Sequence, residues 1–169
     1  VVILTLENST NQYEFNSSTG IFVLNGLNEN VSYTFSVEST GYSDNSVVRT
    51  YSQNLANTGV SIFMLPTSTS IEFLIQSTTR EQISGALMRV ETFVNGSIVE
   101  IGSKLTDIDG KVTFSLIQGN THFLYVNATG FIAQELETSL ASTEYTITLS
   151  NEVQYSFIDL VTGILYGYT

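Results

Sequence analysis

Residues that could carry out catalysis or bind a metal are few and scattered in this 169-residue chain. His122 is the only histidine and there is no cysteine, so a Ser-His-Asp triad or a multi-histidine metal site would have to centre on that side chain. No pair of carboxylates is marked by spacing or by an apolar setting as an acid/base couple. We therefore predict no catalytic, cofactor-binding or metal-binding residues, and we interpret His122 as a packing residue on the inward face of a strand.

The segment 107–110 has two interpretations. Asp107 and Asp109 stand two positions apart, which can present oxygens to a Ca²⁺ ion as at the start of a calcium loop. The further oxygen ligands of such a loop are missing, because Lys111 follows. Asp109 followed by Gly110 is also a turn signal, since glycine tolerates the positive φ of tight turns. We favour a tight hairpin turn between two strands over a weak calcium site.

Two aromatic residues, Phe123 and Tyr125, share a predicted strand with His122. If His122, Leu124 and Val126 face inward, these aromatics point outward. Exposed neighbouring aromatics are typical of an interface or of a platform on which a sugar stacks. The alternative is that an adjoining domain or a loop covers them.

Five asparagines begin Asn-X-Ser/Thr triplets, the pattern of N-glycosylation. Several such matches are expected by accident in a sequence this rich in Asn, Ser and Thr. They become meaningful if the host glycosylates its surface proteins. The five are Asn8, Asn16, Asn30, Asn95 and Asn127.

The composition excludes several classes of partner. Five Lys+Arg against 16 Asp+Glu give a net charge of −11, and no basic cluster could neutralise phosphates, so we expect no nucleic-acid binding. Uninterrupted apolar runs are short, as in residues 21–24, so we expect no membrane insertion by this segment. Charged residues are only 12% of the chain, against roughly 25% in a typical globular protein. Hydroxyl and amide side chains therefore provide most of the polarity.

Short runs that alternate apolar and polar residues predict strands along nearly the whole chain. Tyr33, Phe35 and Val37 alternate with serine and threonine, and Val112 and Phe114 do the same. Because a period of two places alternate side chains on opposite faces, each strand should have one buried and one solvated face. We therefore predict an all-β fold.

The chain also contains an internal repeat. Three stretches recur in the same order, 85 to 90 residues further along. The matched pairs are 19–24 with 109–114, 36–42 with 125–131, and 60–62 with 145–147. Three ordered matches at nearly constant spacing indicate successive units of one architecture.

The repeat predicts where the units begin. Ile71–Ile75 opens the complete unit, and Val153–Phe157 resembles the opening of another. We predict a partial β-sandwich repeat without its first strand over residues 1–66, a complete repeat over 67–150 and the start of a third over 151–169. The chain would then be a window cut from a longer array, with short connectors that let neighbouring units stack with limited freedom. The incomplete leading unit could instead reflect a strand donated by an adjacent chain.

The complete unit resembles a known family. The matching stretches are Ile83–Val90, Thr106–Phe114, Gly119, His122–Val126 and Gly130–Phe131. Together they resemble the carboxypeptidase regulatory-like domains, which are similar to transthyretin-like and Cna protein B-type β-sandwiches. The resemblance implies tandem Ig-like or prealbumin-like antiparallel β-sandwich domains. It also implies a role as a stalk, spacer or accessory module in a surface or secreted protein.

One feature departs from the resemblance. Many Cna protein B-type domains carry a lysine on the first strand that forms an isopeptide crosslink to an Asn or Asp near the end of the domain. The first strand here, Ile71–Gln76, contains no lysine, and the only lysines are Lys104 and Lys111. We expect no intramolecular isopeptide bond.

These features favour a non-enzymatic structural protein, a segment of an extracellular stalk, filament or fibre built from tandem β-sandwich repeats on a cell or virion surface. Its partners would be neighbouring copies or other structural proteins of that surface. Two alternatives remain. One is an adhesive module in which Phe123 and Tyr125 contact a glycan or a protein; the other is an accessory domain of a larger surface enzyme.

Overall fold

A computed structural model describes residues 1–53, 55, 59–65, 68–94 and 96–152, together with the backbone of 155–158 and 165–168. The described residues form thirteen strands. They are β1 (Val2–Glu7), β2 (Gln12–Ser17), β3 (Ser32–Ser39), β4 (Asn45–Thr50), β5 (Thr69–Ser77), β6 (Leu87–Val94), β7 (Ser97–Leu105), β8 (Lys111–Leu116), β9 (Thr121–Asn127), β10 (Gln134–Ser139), β11 (Glu144–Leu149), β12 (Tyr155–Ile158) and β13 (Leu165–Tyr168). The predicted fold class is confirmed: the chain is all-β and its sheets pack as sandwiches.

Residues 69–149, here called the central unit, form a sandwich of two sheets. One sheet has the strand order β10-β9-β6-β7 and the other has the order β11-β5-β8. Paired strands run antiparallel, except that β5 and β11 run parallel. The apolar side chains that alternate along these strands meet between the two sheets, as a period of two requires.

The middle of this core belongs to β5. Ile71, Phe73 and Ile75 have no exposed surface. The Phe73 ring stacks on Tyr145 of β11 at 5.7 Å and meets Phe114 of β8 edge to face at 6.2 Å, both between ring centroids. Strand β5 therefore joins its two neighbours through side chains as well as through backbone hydrogen bonds.

Residues 1–65, here called the N-terminal unit, pack around a separate cluster. Their sheet has the order β2-β1-β3-β4, with all neighbours antiparallel. This is the same order that β7-β6-β9-β10 has in the central unit. The buried members of the cluster are Leu4, Leu6, Tyr33, Phe35, Val37 and Val47.

Two extended segments that are not strands cover the inner face of this sheet. The first, residues 21–24, contributes Phe22 and Leu24 to the cluster. The second, residues 60–64, contributes every other side chain, beginning with Val60. In the repeat, these segments stand where β8 and β11 stand in the central unit.

Two smaller predictions can be compared with the structure. Val37 and Val126 face their cores, as the alternation predicts. The hairpin predicted at Asp109-Gly110 is wrong, because the turn joins β7 to β8, which belong to different sheets. The same turn residues serve here to carry the chain from one layer of the sandwich to the other.

The division into repeats over 1–66, 67–150 and 151–169 stays a prediction. Of the last range, the structure describes residues 151 and 152 and the backbone of β12 and β13, which pair antiparallel. Residues 153 and 154, at the predicted start of the third repeat, lie outside the described residues.

Gly110 provides a test of the crossing turn. Its φ is 71°, and a Cβ there would lie 2.7 Å from the carbonyl oxygen of Ile75. We expect Gly110→Ala to lower the free energy of unfolding by about 3 kcal/mol or more, since backbone strain and a clash with backbone add. Gly119 is the matched control, because its φ is 83° and its Cβ would meet nothing within 4 Å.

Gly119→Ala should lower the free energy of unfolding only by the backbone strain, about 1 kcal/mol. Urea denaturation followed by circular dichroism measures both variants. Equal losses for the two would show that the close approach at Gly110 does not constrain the fold.

Candidate functional site

His122 is a core residue in the structure. Its side chain is 1% exposed, and Nε2 donates a hydrogen bond of 3.0 Å to the carbonyl of Ile117. Its repeat counterpart Tyr33 is tied to its own loop in a similar way, with the hydroxyl accepting from the backbone N–H of Asn28 at 3.0 Å. In both units, the side chain therefore forms a hydrogen bond with the backbone of the residue five positions before it.

The carboxylate of Asp107 is engaged within its own turn. Its Oδ1 accepts hydrogen bonds from the backbone N–H groups of Asp109 at 2.9 Å and Lys111 at 2.8 Å. Within the described ranges, no group of three or more His, Cys, Asp or Glu side chains comes together. The arrangement is that of an Asx turn.

Two surface depressions lie at one end of the central unit. Their volumes are about 300 and 440 Å³, and Gly85, Ala128 and Thr129 contribute to both. His122 and the 107–110 turn line neither. Among the residues placed by the structure, none belongs to a helix that is long and apolar enough to cross a bilayer.

The predicted glycosylation positions differ in their surroundings. Asn16, Asn30 and Asn127 are exposed. Asn8 is half-buried, and its side-chain oxygen accepts from the backbone N–H groups of Thr10 and Asn11, at 2.9 and 2.8 Å. Asn95 lies outside the described residues.

The structure places Phe123 and Tyr125 on the outer face of the sheet. Both are half-buried. Phe93 of β6, which is 55% exposed, meets Phe123 edge to face with ring centroids 5.3 Å apart. We call Phe93, Phe123 and Tyr125, with Arg89 and Glu91 beside them, the outer aromatic surface.

A charged pair covers part of this surface. The guanidinium of Arg89 lies 4.9 Å from the centroid of the Tyr125 ring, and its Nε is 3.1 Å from a carboxylate oxygen of Glu91. One face of Tyr125 is thus occupied by a cation–π contact. Phe93 and Phe123 are the members left open to a ligand.

Phe93 is a member of this surface that was not predicted from the sequence. The signal was present, because Arg89, Glu91 and Phe93 alternate with buried residues along β6 and therefore share the outer face. Placing Phe93 beside Phe123 requires knowing that β6 pairs with β9, and the spacing of residues in the sequence does not give that pairing.

A second candidate site lies between the two units, where β4 meets β7. Both are edge strands of their sheets. Arg49 of β4 donates two hydrogen bonds to Glu100 of β7, of 2.9 and 2.5 Å, and a third of 3.2 Å to the hydroxyl of Ser103. Side-chain exposures of 29% and 17% for Arg49 and Glu100 make this a partly buried bidentate pair.

Backbone groups take part in the same contact. The N–H of Val48 donates to the hydroxyl of Ser103 at 2.9 Å, and the side-chain amide of Asn45 donates to the carbonyl of Ile101. Gly102 permits this approach, since a Cβ there would lie 2.8 Å from the Asn45 side-chain oxygen. We call these contacts and the Arg49–Glu100 pair the inter-unit junction.

Lys104 extends the charged part of the junction. Burial lowers the pKa of its ammonium, and the negative charge of Asp44 in the N-terminal unit partly opposes that shift. Its Nζ donates to the carbonyl of Thr113 at 2.8 Å and lies 5.3 Å from the centroid of the Phe114 ring. The half-buried lysine is thus held between polar and aromatic partners.

No family model matches the chain, and no curated protein matches it in sequence. Among solved structures, the chain is similar to a streptococcal ancillary pilin, with 15% identity, a TM-score of 0.40, and coverage of 72% of this chain and 42% of the pilin. It is similar to the shaft pilin SpaA from Lactobacillus rhamnosus GG, with 11% identity, a TM-score of 0.44, and coverage of 90% and 85%.

A chlorocatechol 1,2-dioxygenase from Pseudomonas putida is also similar, with 11% identity, a TM-score of 0.38, and coverage of 56% of this chain and 65% of the enzyme. At such low identities and TM-scores, the similarities identify no function for this chain.

The structural role of His122 predicts a loss of stability on truncation. We expect His122→Ala to lower the free energy of unfolding by about 2–4 kcal/mol, because it leaves a cavity and removes the hydrogen bond from Nε2 to the carbonyl of Ile117. Asn120→Ala, at an exposed neighbouring position, should change it by less than about 0.5 kcal/mol. Urea denaturation compares the two, and a His122→Ala effect as small as the control would contradict the core role.

Proposed function

We propose that this chain is a non-enzymatic structural segment of an extracellular stalk, filament or fibre, built from tandem β-sandwich units on a cell or virion surface. The observation that carries the proposal is the inter-unit junction. It holds two units of similar sheet order together through side chains that reach from one edge strand to the other.

The chain beside the junction is also tied down. The backbone N–H of Ser43 donates to the carbonyl of Leu65 at 2.8 Å, and the hydroxyls of Ser43 and Ser68 are hydrogen-bonded. These contacts hold both sides of the connector between the units. When units keep a fixed orientation relative to one another, the chain extends over a distance and transmits force. Units on flexible linkers instead tumble independently.

The surface suits such a role. A net charge of −11 with few cations favours solubility and disfavours nonspecific adhesion. The proposed partners are neighbouring copies or other structural proteins of the same cell or virion surface.

Breaking the junction tests the proposal. Glu100→Gln keeps the shape of the side chain but removes its charge, so we expect the free energy of unfolding to fall by about 1–2 kcal/mol. Nuclear magnetic resonance signals from β3 and β9, followed through urea, report the two units separately. The urea midpoints of the two units should coincide in the unmodified protein and separate in the Glu100→Gln variant.

The control for this experiment is Glu72→Gln. Glu72 pairs with Lys111 at 2.8 Å within the central unit, where both side chains are more exposed. That change should lower the free energy of unfolding by much less than Glu100→Gln does, and it should leave the urea midpoints of the two units together. Midpoints that are already separate in the unmodified protein would reject the rigid-spacer role.

A second candidate function is adhesion through the outer aromatic surface. Phe93, which is exposed, and Phe123, which is half-buried, form an aromatic pair on the outer face, and Ile98 beside the β6–β7 turn is 52% exposed. Aromatic rings presented in this way bind sugar rings or the apolar groups of a protein partner.

Alanine substitutions test adhesion on a glycan array and in pull-downs from the cell surface. Phe93→Ala and Phe123→Ala should each weaken binding by about tenfold or more, as expected for loss of an aromatic anchor. Tyr125→Ala should do less, because Arg89 already covers one face of that ring. Ile108→Ala, at an exposed apolar position away from this surface, is the control, and equal binding by all variants would reject adhesion at this site.

A further inference from the structure

The outer aromatic surface already holds one cation of its own chain. Strand pairing places Tyr125 of β9 directly opposite Arg89 of β6 and directly opposite Glu135 of β10. The guanidinium of Arg89 lies 4.9 Å from the centroid of the Tyr125 ring, and its Nε lies 3.1 Å from a carboxylate oxygen of Glu91. On this face of the sheet, an aromatic ring with carboxylates beside it therefore takes a guanidinium.

A similar setting surrounds Phe123, two residues before Tyr125 on the same strand. Phe123 is directly opposite Glu137 of β10 on one side and Glu91 of β6 on the other. Residues directly opposite each other on antiparallel strands have Cβ atoms about 5 Å apart, so both carboxylates stand beside the ring. Phe123 thus lies between two acids, whereas Tyr125 lies between an acid and an arginine.

The cations of the chain are engaged with other groups. Arg49, Arg89 and Lys111 form ion pairs with other carboxylates, and Lys104 donates to a backbone carbonyl at the inter-unit junction. Within the described ranges, no cation pairs with Glu137, which is exposed. A cation that lies over Phe123 would therefore come from a partner.

Apolar side chains border this position. Phe93 meets the Phe123 ring edge to face with centroids 5.3 Å apart, and Ile98 of β7 stands directly opposite Phe93. Phe93 and Ile98 are 55% and 52% exposed. The surface therefore fits a ligand that combines a positive charge with apolar groups, as a protein segment does when its basic residue has apolar neighbours.

A glycan fits these observations less well. One with acidic groups would be repelled by Glu91 and Glu137, and a neutral one carries no charge to complement them. The net charge of −11 on the whole chain acts in the same direction, because it attracts basic partners and repels acidic ones.

We propose that the outer aromatic surface binds a protein partner through an arginine or lysine side chain that lies over Phe123 between Glu91 and Glu137. Apolar side chains on either side of that residue pack on Phe93 and Ile98. The partner is a basic segment in extended conformation, because alternate side chains of such a segment reach one surface together. This inference rests on adhesion, the second candidate function, and it names the chemistry of the partner.

The test is a titration of the full 169-residue chain with the peptide acetyl-Leu-Ser-Arg-Ser-Leu-amide, followed by nuclear magnetic resonance. In an extended peptide, the arginine and both leucines share one face. The control peptide carries citrulline in place of arginine, which keeps the shape of the side chain and removes its charge. We expect the arginine peptide to shift backbone amide signals of β6, β9 and β10, and to bind about tenfold more tightly than the citrulline peptide.

Salt and two variants sharpen this test. Binding of the arginine peptide should weaken about fivefold as sodium chloride is raised to about 0.5 M, because salt screens exposed charges. Phe123→Leu should weaken it by about threefold, because leucine is apolar but has no aromatic ring. Glu137→Gln should also weaken it by about threefold, because this change removes the unpaired carboxylate.

Glu144→Gln is the matched control for Glu137→Gln. It removes the same charge from an exposed position on β11, which belongs to the other sheet of the central unit. Binding of the arginine peptide should be unchanged in this variant. Both substitutions are at exposed positions, so the comparison is made between folded proteins.

Cation recognition is overturned if the citrulline peptide binds as tightly as the arginine peptide, or if Glu137→Gln and Glu144→Gln bind the arginine peptide alike. Binding to a neutral glycan that is lost in Phe93→Ala, with no binding of either peptide, would keep adhesion and reject the basic partner. Binding of the arginine peptide as expected, with pull-downs from the cell surface unchanged by Phe93→Ala, would keep the cation site and reject its role in adhesion.

Discussion

Two edge strands, β4 and β7, are held against each other by side chains rather than by a backbone ladder. Exposed sheet edges tend to pair with other chains, and proteins cover them or place charges on them. Here Arg49 and Glu100 supply a bidentate ion pair, and the hydroxyl of Ser103 accepts the N–H of Val48. The contact thus covers two edges and joins one unit to the next. The proposed role as a spacer requires that this contact also fix the orientation of the two units.

The two units differ in how fully they enclose their cores. In the central unit, β5 fills the middle of the second layer, and Phe73 packs between Phe114 and Tyr145. In the N-terminal unit, the flanking segments are present and turn Phe22 and Ile62 inward, but the strand between them is not among the described elements. The alternation of side chains along the strands gives each unit two layers. In the second layer, the flanking segments can form backbone hydrogen-bond ladders only when a middle strand lies between them.

Local patterns predicted much of the fold. Alternation placed Val37 and Val126 in their cores and His122 on an inward face, because the period of a strand depends only on neighbouring residues. The repeat relates the two four-stranded sheets, which share one order. It did not show that the turn at Gly110 changes sheets, because the same turn chemistry serves a hairpin and a crossing between layers.

Less of the candidate sites than of the fold could be predicted from the sequence. Phe123 and Tyr125 are on the outer face, but the cover of Tyr125 by Arg89 and the neighbourhood of Phe93 depend on how β6 pairs with β9. Arg49 and Glu100 are 51 positions apart, and nothing in their local sequence marks them as partners. Long-range pairings of this kind are set by the packing of whole units.

The most direct test of a fixed junction is a measurement of residual dipolar couplings for backbone amides of both units in one weakly aligned sample. If the junction holds the units as a single body, one alignment tensor will fit the couplings from β1, β3 and β4 together with those from β5, β6 and β9. Two tensors that differ in magnitude or orientation would show that the units move independently, which contradicts the account.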